Sequence, residues 1–141
     1  MVMMIHKLKV GQVMERPAYT VKPYDRAQAI AEIMLRNRLA HVPVVADERL
    51  VGLIALKELR NIWHYVHPDS LKVADVMNEG PYAVLPETSV DLVVRTIHQF
   101  RLDCAVVVDD YKRLLGVFTS ASAAGYAKLA HRTSGYTAMA A

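Results

Sequence analysis

Two histidines at helical spacing are the residues in this chain whose types most directly suggest chemistry. His64 and His67 lie three residues apart, and on a helix this spacing puts both imidazoles on one face, as a metal-binding pair requires. Pro68 ends that helix, and the sequence offers no third ligand within reach. The pattern therefore favours a surface or interface pair, and we predict no metal site.

Catalytic motifs are absent from the sequence. It has no Gly-x-Ser-x-Gly turn, no Walker phosphate loop and no His-Glu-x-x-His motif, and its six histidines form no readable triad with the acids. The single cysteine, Cys104, excludes an internal disulfide and is predicted to be a small buried hydrophobic residue. We predict no catalytic residues and no enzyme activity, and one cysteine suits a reducing, cytoplasmic setting.

Polar side chains also stand at the predicted starts of two helices. Thr119 precedes the last helix, where its hydroxyl can cap the first turn. Lys57 and Glu58 begin an earlier helix, where both can simply be solvated. His41 precedes an apolar run and can equally be a core histidine with satisfied hydrogen bonds.

An internal repeat explains why polar side chains stand at two predicted helix starts. The segment from Lys9 to Leu59 reappears as Lys72 to Ala123. The identities keep a constant offset of 63 and, after one inserted residue, an offset of 64. They include Val13/Val76, Met14/Met77, Tyr19/Tyr82, Pro23/Pro86, Val44/Val107, Arg49/Arg113 and Gly52/Gly116. Agreement that survives an insertion indicates a duplicated structural unit. Core packing is the favoured explanation for the recurring tyrosines.

The first long helix of each copy follows an extended segment that ends at proline. We predict a helix over residues 26–37, with Asp25 as N-cap and Gln28 in capping-box position. In the second copy Thr88 is the predicted cap. The predicted buried stripe of that second helix consists of Val90, Val93, Val94, Ile97 and Phe100.

Two apolar runs follow each of these helices and are predicted to be hairpin strands. They cover residues 42–46 and 50–55 in the first copy, and residues 105–109 and 114–119 in the second. Closing helices are predicted over residues 56–65 and 120–130. Each copy thus reads strand, helix, strand, strand, helix, an α/β (α+β) fold class.

The bulk composition is that of a compact globular chain. It has 141 residues with 53% hydrophobic content, and since each copy alone is marginal in size we expect the two to fold together. The net charge of +3 comes without a run of like charges, so nucleic-acid binding is not predicted. No membrane span or signal peptide is expected. Residues 1–66 are assigned to the first repeat with its lead-in, 67–130 to the second, and 131–141 to a tail.

The repeated motifs resemble the cystathionine β-synthase (CBS) domain family, in the tandem arrangement called a Bateman module. Three signatures carry the resemblance, each present twice in matching order. They are Val13-Met14 and Val76-Met77 before an extended segment and proline, His41 to Asp47 with its echo Cys104 to Asp109, and the hydrophobic-Gly-hydrophobic runs Val51 to Ile54 and Leu115 to Phe118. The resemblance covers nearly the whole chain and implies two pseudo-twofold-related repeats packed sheet to sheet.

The resemblance also implies a ligand. Modules of this family bind adenosine nucleotides, here most simply AMP with ADP or ATP as variants, through a Gly-x-x-Thr/Ser-x-x-Asp motif that offers a hydroxyl to phosphate and a carboxylate to ribose. In this sequence Thr119 keeps the hydroxyl while Ser122 replaces the carboxylate, and in the other repeat Glu58 keeps a carboxylate while the hydroxyl is lost. Neither motif is complete, which leaves a nucleotide-free structural or dimerisation module as the alternative.

Two ligand sites can be assembled by analogy with the family, each joining the adenine wall of one repeat to the helix start of the other. The first and favoured site consists of Ala18, Tyr19, Ala40, His41, Val42, Thr119, Ser120 and Ser122. The second consists of Pro81, Tyr82, Asp103, Cys104, Ala105, Lys57 and Glu58. A homodimer and an unidentified regulated protein are the partners that the resemblance implies.

Overall fold

The computed structural model describes residues 7–65 and 70–134, and the side chains among them as far as residue 128. Two of its helices, one at the start of each repeat, are only four residues long and are called the lead-in helices. In chain order the elements are α1 (Val10–Val13), α2 (Ala27–Arg36), β1 (His41–Ala46), β2 (Arg49–Ala55), α3 (Leu56–Ile62), α4 (Val73–Val76), β3 (Ala83–Val84), α5 (Val90–Phe100), β4 (Cys104–Val108), β5 (Leu114–Thr119) and α6 (Ser120–Ser134). The α+β class is confirmed. No helix among the described residues has the length and apolar character to cross a membrane.

The chain divides into two compact units that do not follow the sequence repeats residue for residue. The first-repeat unit consists of residues within Pro17–Pro81 together with Tyr111–Leu114. The second-repeat unit consists of Tyr82–Asp110, the described residues from Leu115 onward, and the described residues up to Arg16. The lead-in of each repeat therefore lies in the unit built by the other repeat.

The first-repeat unit is built on an antiparallel hairpin of β1 and β2. His41 pairs with Ala55, and the register shifts by a bulge between Val44 and Val45. Val21 adds a parallel bridge to Val44, at the end of the segment predicted to be extended. The core is aliphatic, because each element contributes its apolar face to it. Its fully buried members include Ala27, Ala31, Met34, Val44, Ile54 and Leu59.

The second-repeat unit has a three-stranded sheet in the order β3-β4-β5. β3 runs parallel to β4, with Ala83 opposite Val106, so each copy places its extended segment parallel to the first hairpin strand. All five residues of β4 are buried, as expected for a strand covered on both faces. The apolar core includes Val10, Val90, Val93, Ala105, Val107 and Phe118.

The helices form where predicted, but the N-caps predicted for α2 and α5 are wrong. The N-cap of α2 is Arg26, and the Asp25 carboxylate instead accepts the Lys22 backbone N–H at 2.8 Å. The N-cap of α5 is Ser89, whose hydroxyl oxygen accepts the Leu92 N–H at 3.2 Å. Neighbouring short polar residues offer the same hydrogen bond, so the sequence could not choose between Thr88 and Ser89.

Helix ends also differ from the predictions. Phe100, predicted to be buried, is 63% exposed because it is the last residue of α5 and the core contacts of that helix end at Ile97. Arg101 follows in the left-handed conformation with φ 53° and stops the helix. α3 ends at Ile62, short of residue 65, whereas α6 continues past residue 130 to Ser134.

The lead-in helices α1 and α4 were not predicted, and each of them packs in the unit built by the other repeat. In the second-repeat unit the N–H groups of Val10 and Gly11 donate to the carbonyls of Thr88 and Pro86 at 2.8 and 3.0 Å. In the first-repeat unit Val73 donates to the Asp25 carbonyl at 2.8 Å. Val10 and Val73 are both fully buried, so each lead-in is part of the opposite repeat's core.

Candidate functional site

The start of α6 is the best defined part of the predicted ligand sites. The Thr119 hydroxyl oxygen accepts the Ser122 backbone N–H at 3.2 Å, which makes Thr119 the N-cap of this 15-residue helix, as predicted. The Thr119 hydroxyl also lies 3.2 Å from that of Ser122. Two hydroxyl groups are thus held together at the positive end of a helix dipole, an arrangement suited to an anion.

A main-chain hydrogen bond joins the start of α6 to the residue that precedes β4. The Ser120 N–H donates to the Asp103 carbonyl at 2.8 Å. Ser120 and Asp103 are both exposed, whereas Cys104 and Ala105 next in the chain are buried. Burial, and secondarily the negative charge of Asp103, raises the pKa of the Cys104 thiol to about 11. This thiol is therefore protonated near neutral pH and is the buried hydrophobic residue that was predicted.

Tyr82 belongs to the core of the second-repeat unit, as predicted. Its ring packs against the apolar cluster, and its carbonyl accepts the Val106 N–H at 2.8 Å. Tyr19, the matching residue of the other repeat, is instead 42% exposed, so the packing expectation is wrong for it. Ala18 beside it is exposed and Pro81 is half-buried. The two tyrosines have thus diverged, and Tyr19 is the more exposed of the two.

The first-repeat unit has the equivalent main-chain hydrogen bond at the start of α3. The Leu56 N–H donates to the Ala40 carbonyl at 3.0 Å, which matches the bond between Ser120 and Asp103. His41 begins β1 and is half-buried, and Val42 after it is buried. Lys57 and Glu58 in the first turn of α3 are both exposed, as expected for a solvated face.

These contacts bring the predicted residues together repeat by repeat. Ala40 meets the helix start that carries Lys57 and Glu58, and Asp103 meets the helix start that carries Ser120 and Ser122. The pairing of an adenine wall from one repeat with a helix start from the other stays a prediction. Among the described residues no three histidine, cysteine or acidic side chains cluster as a metal site would require, and His67 of the histidine pair lies outside the described residues.

A close approach beside each helix start was missed by the sequence analysis. Glu15 and Val117 exchange two main-chain hydrogen bonds of 2.9 and 2.8 Å, two residues before Thr119. Leu53 and Asn78 do the same at 3.0 and 2.8 Å, two residues before Ala55. Each lead-in is thereby fixed to the strand that runs into a helix start. The recurrence of Met14/Met77 together with Gly52/Gly116 was the signal that could have shown it.

Comparison with protein-family models identifies both repeats. The CBS domain model matches residues 10–65 and again residues 73–126, in agreement with the repeat seen in the sequence. The two matches together cover most of the chain.

Curated relatives share this region as part of longer proteins. Inosine-5'-monophosphate dehydrogenase of Korarchaeum cryptofilum is 24% identical over 105 residues, which cover 74% of this chain and 21% of that enzyme. The same enzyme of Escherichia coli is 31% identical over 101 residues, covering 71% and 20% respectively. An uncharacterized protein of Methanocaldococcus jannaschii, MJ1232, is 23% identical and covers 82% of this chain and 38% of its own length. The chain therefore spans between about a fifth and two fifths of these relatives.

Two solved structures with the same fold match this chain over nearly the whole of their own length. CBSX2, a CBS-pair protein of Arabidopsis thaliana, was solved in complex with AMP and matches with a TM-score of 0.71 and 23% identity, over 86% of this chain and 97% of that one. The CBS domain pair of protein MJ0100, in complex with 5-methylthioadenosine and S-adenosyl-L-methionine, matches with a TM-score of 0.73 and 21% identity, over 84% and 94%. The duplicated sequence, the fold and the two matches to the CBS family model agree. This chain therefore belongs to the CBS domain family and carries two copies of the domain.

Proposed function

We propose that this protein is a regulatory module that binds an adenine nucleotide, AMP first and ADP or ATP as variants, and passes its ligand state to a partner protein. The observation that carries the proposal is the start of α6, where Thr119 and Ser122 hold two hydroxyls at a helix N-terminus. The role proposed is regulatory and not catalytic, and we place it in the cytoplasm. AMP acts here as a regulatory ligand and not as a catalytic cofactor.

Ligands of proteins with the same fold support the adenosine part of this proposal. CBSX2 was solved with AMP, the MJ0100 pair with 5-methylthioadenosine and S-adenosyl-L-methionine, and the CBS domain of a bacterial CNNM/CorC Mg²⁺ transporter with ATP. Adenosine is the chemical group that these ligands share. They differ in what the 5′ carbon carries, which is the part that Thr119 and its neighbours would contact in this chain.

The favoured site can supply the phosphate and adenine contacts of AMP, and the second site can supply a carboxylate for ribose. The Thr119 hydroxyl can rotate its proton from Ser122 toward a phosphate oxygen while its oxygen continues to cap the helix. The exposed Tyr19 ring of the same site offers a face for adenine. In the second site the exposed Glu58 carboxylate can accept both ribose hydroxyls of a nucleotide bound there. The residues of the two sites predicted from the sequence are the proposed binding residues.

Regulation follows from differential affinity. A nucleotide shifts the protein toward whichever conformation completes its contacts, and only by the ratio of its affinities for the two states. A partner that recognises the favoured conformation then responds to nucleotide concentration. Tight binding alone does not make such a switch.

The test is thermal unfolding of the purified protein with AMP, ADP, ATP, NAD and S-adenosylmethionine, each at about 1 mM. A ligand that binds only the folded state at a hundredfold excess over its Kd stabilises it by about 2.7 kcal/mol, or several degrees for a domain of this size. We expect AMP to raise the midpoint, and Thr119→Ala to remove most of that rise. Thr96→Ala is the matched control, since its hydroxyl donates to the Leu92 carbonyl on another helix at 2.8 Å and should leave the AMP response unchanged.

The alternative is a nucleotide-free structural module that acts as a homodimer. It is favoured by Ser122 at the position of the ribose carboxylate and by the use of the Thr119 hydroxyl as a helix cap. This alternative predicts no midpoint shift with any of the five ligands, on protein shown by mass spectrometry to carry none of them. It also predicts a dimer in sedimentation whose mass does not depend on nucleotide.

A further inference from the structure

A groove between two helices of the second-repeat unit shares Ser120 with the proposed nucleotide site and is otherwise lined by residues outside that site. It has a volume of about 540 Å³ and runs between α5 and α6. Its apolar floor is formed by Val94 and Ile97 from α5 and by Ala123 and Ala127 from α6. A volume of this size is in the range of small-molecule sites.

The first repeat shows why the groove is open. At the offset of 64 that relates α3 to α6, small residues of α6 replace large ones of α3, namely Ser120 for Leu56, Ala123 for Leu59, Ala124 for Arg60 and Ala127 for Trp63. In the first-repeat unit Leu59 is fully buried, and Leu56 and Trp63 pack against the same core cluster. The second repeat therefore lacks an indole ring and aliphatic side chains at positions where the first repeat packs them.

The rim of the groove is polar and carries a positive charge. Arg101, His98 and Gln99 line it on the α5 side, and Ser120 lies on the α6 side. No carboxylate is among the lining residues that the structure describes. Arg101 presents a guanidinium that binds carboxylates through paired hydrogen bonds.

We propose that this groove binds a small aromatic carboxylate, with the ring over Ala123 and Ala127 where the first repeat has its Trp63 ring, and the carboxylate against Arg101. The ring restores the apolar contacts that the alanines leave unmade, and the anion matches the charge of the rim. The shape argument comes from the repeat and the charge argument from the rim. Both point to the same occupant.

The experiment is an NMR titration of the full chain with indole-3-acetate, using the uncharged indole-3-acetamide as the matched ligand. We expect saturable shifts of the Val94, Ile97, Ala123 and Ala127 methyl signals, with a Kd on the order of 1 mM for a ligand this small. Indole-3-acetamide should bind at least fivefold more weakly. Arg101→Gln should remove that difference between the two ligands while the ring still binds.

Variants that refill the groove make the proposal falsifiable. Ala127→Trp supplies the ring that the first repeat carries and should weaken indole-3-acetate binding at least tenfold, and Ala123→Leu serves if that variant fails to fold. Ala29→Trp, at an exposed position on α2, is the control and should bind as the parent does. Binding that persists in both filled variants, or no saturable shift up to about 10 mM, overturns the proposal. A lower sedimenting mass in Ala127→Trp also overturns it, because a second copy of the chain would then be the occupant.

Discussion

Two glycines mark the places where each lead-in crosses the opposite repeat. A Cβ on Gly116 would lie 2.6 Å from the Met14 sulfur and 2.9 Å from the Glu15 carbonyl oxygen. A Cβ on Gly52 would lie 2.6 Å from the Met77 sulfur and 3.0 Å from the Asn78 carbonyl oxygen. The glycine in each hydrophobic-Gly-hydrophobic run is therefore required for close approach, which pattern matching alone does not reveal.

These distances predict that alanine is destabilising at both glycines. Gly116→Ala should lower the free energy of unfolding by about 1–3 kcal/mol, because a backbone oxygen as well as a flexible methionine must move. Gly52→Ala should act in the same direction and more weakly. Gly125→Ala is the control, since a Cβ there meets nothing within 4 Å and alanine should stabilise α6 by about 0.5–1 kcal/mol. Urea unfolding measures all three, and a neutral Gly116→Ala would contradict the close approach.

Cys104 is expected to be unreactive in the folded protein. Its pKa is raised to about 11 from an ordinary value of 9.0, chiefly by burial, so the thiolate that attacks alkylating reagents is scarce at pH 8. The folded state also holds the thiol proton more strongly than the unfolded state. The associated stability is therefore complete below about pH 9 and is lost as the pH rises through 11. Iodoacetamide labelling at pH 8 should be slow until urea is added, and rapid labelling without urea would show an exposed thiolate.

Individual residues of the candidate site were predicted with uneven success. Thr119 was expected to cap a helix and does so. Tyr19 and Tyr82 were expected to pack alike, yet only Tyr82 lies in a core, because a shared identity does not fix the depth of burial in two diverged copies. The assignment of residues to complete ligand sites rests on family resemblance, since hydrogen-bonding capacity alone does not say which ligand a residue meets.

At the scale of elements, hydrophobic periodicity predicted the hairpins and long helices well. β5 forms over the residues predicted, β1 and β2 each begin one residue earlier than predicted, and β4 lies one residue earlier at both ends. The four-residue helices α1 and α4 were missed because they are too short to show a helical period. The start of each of these helices is fixed by a side chain of its first turn. Gln12 and Asp75 accept hydrogen bonds from the backbone N–H groups of Lys9 and Lys72, both at 2.8 Å.

The corrected cap of α5 gives a prediction at this scale. Ser89→Ala removes the acceptor of the Leu92 N–H and should lower the free energy of unfolding by about 1 kcal/mol. Thr88→Ala, one residue earlier, leaves that hydrogen bond intact and should cost less. Thermal unfolding of the two variants distinguishes the caps. A larger loss for Thr88→Ala would restore the cap predicted from the sequence.

At the scale of the whole molecule, the lead-in helix at the start of each repeat packs in the core of the unit built by the other repeat. Val10 is separated by about seventy residues of sequence from the sheet whose core it enters, and Val73 enters the core of the hairpin before it. Sequence similarity defines the repeats, whereas packing defines the units, and nothing in a repeat pattern requires the two to coincide. This is why the presence of two tandem copies could be predicted while the membership of each core could not.

This packing predicts where the damage from a lead-in substitution appears. Val10→Ala removes two methyl groups from a fully buried position and should cost about 1.5–3 kcal/mol. Hydrogen exchange should then increase in α5 and β4, which share a core cluster with Val10, and much less in α2 and β1. Val73→Ala is the matched variant and should give the reverse pattern, with faster exchange in α2 and β1. If Val10→Ala instead loosened α2 and β1, the lead-in would belong to its own repeat, and the packing described here would be wrong.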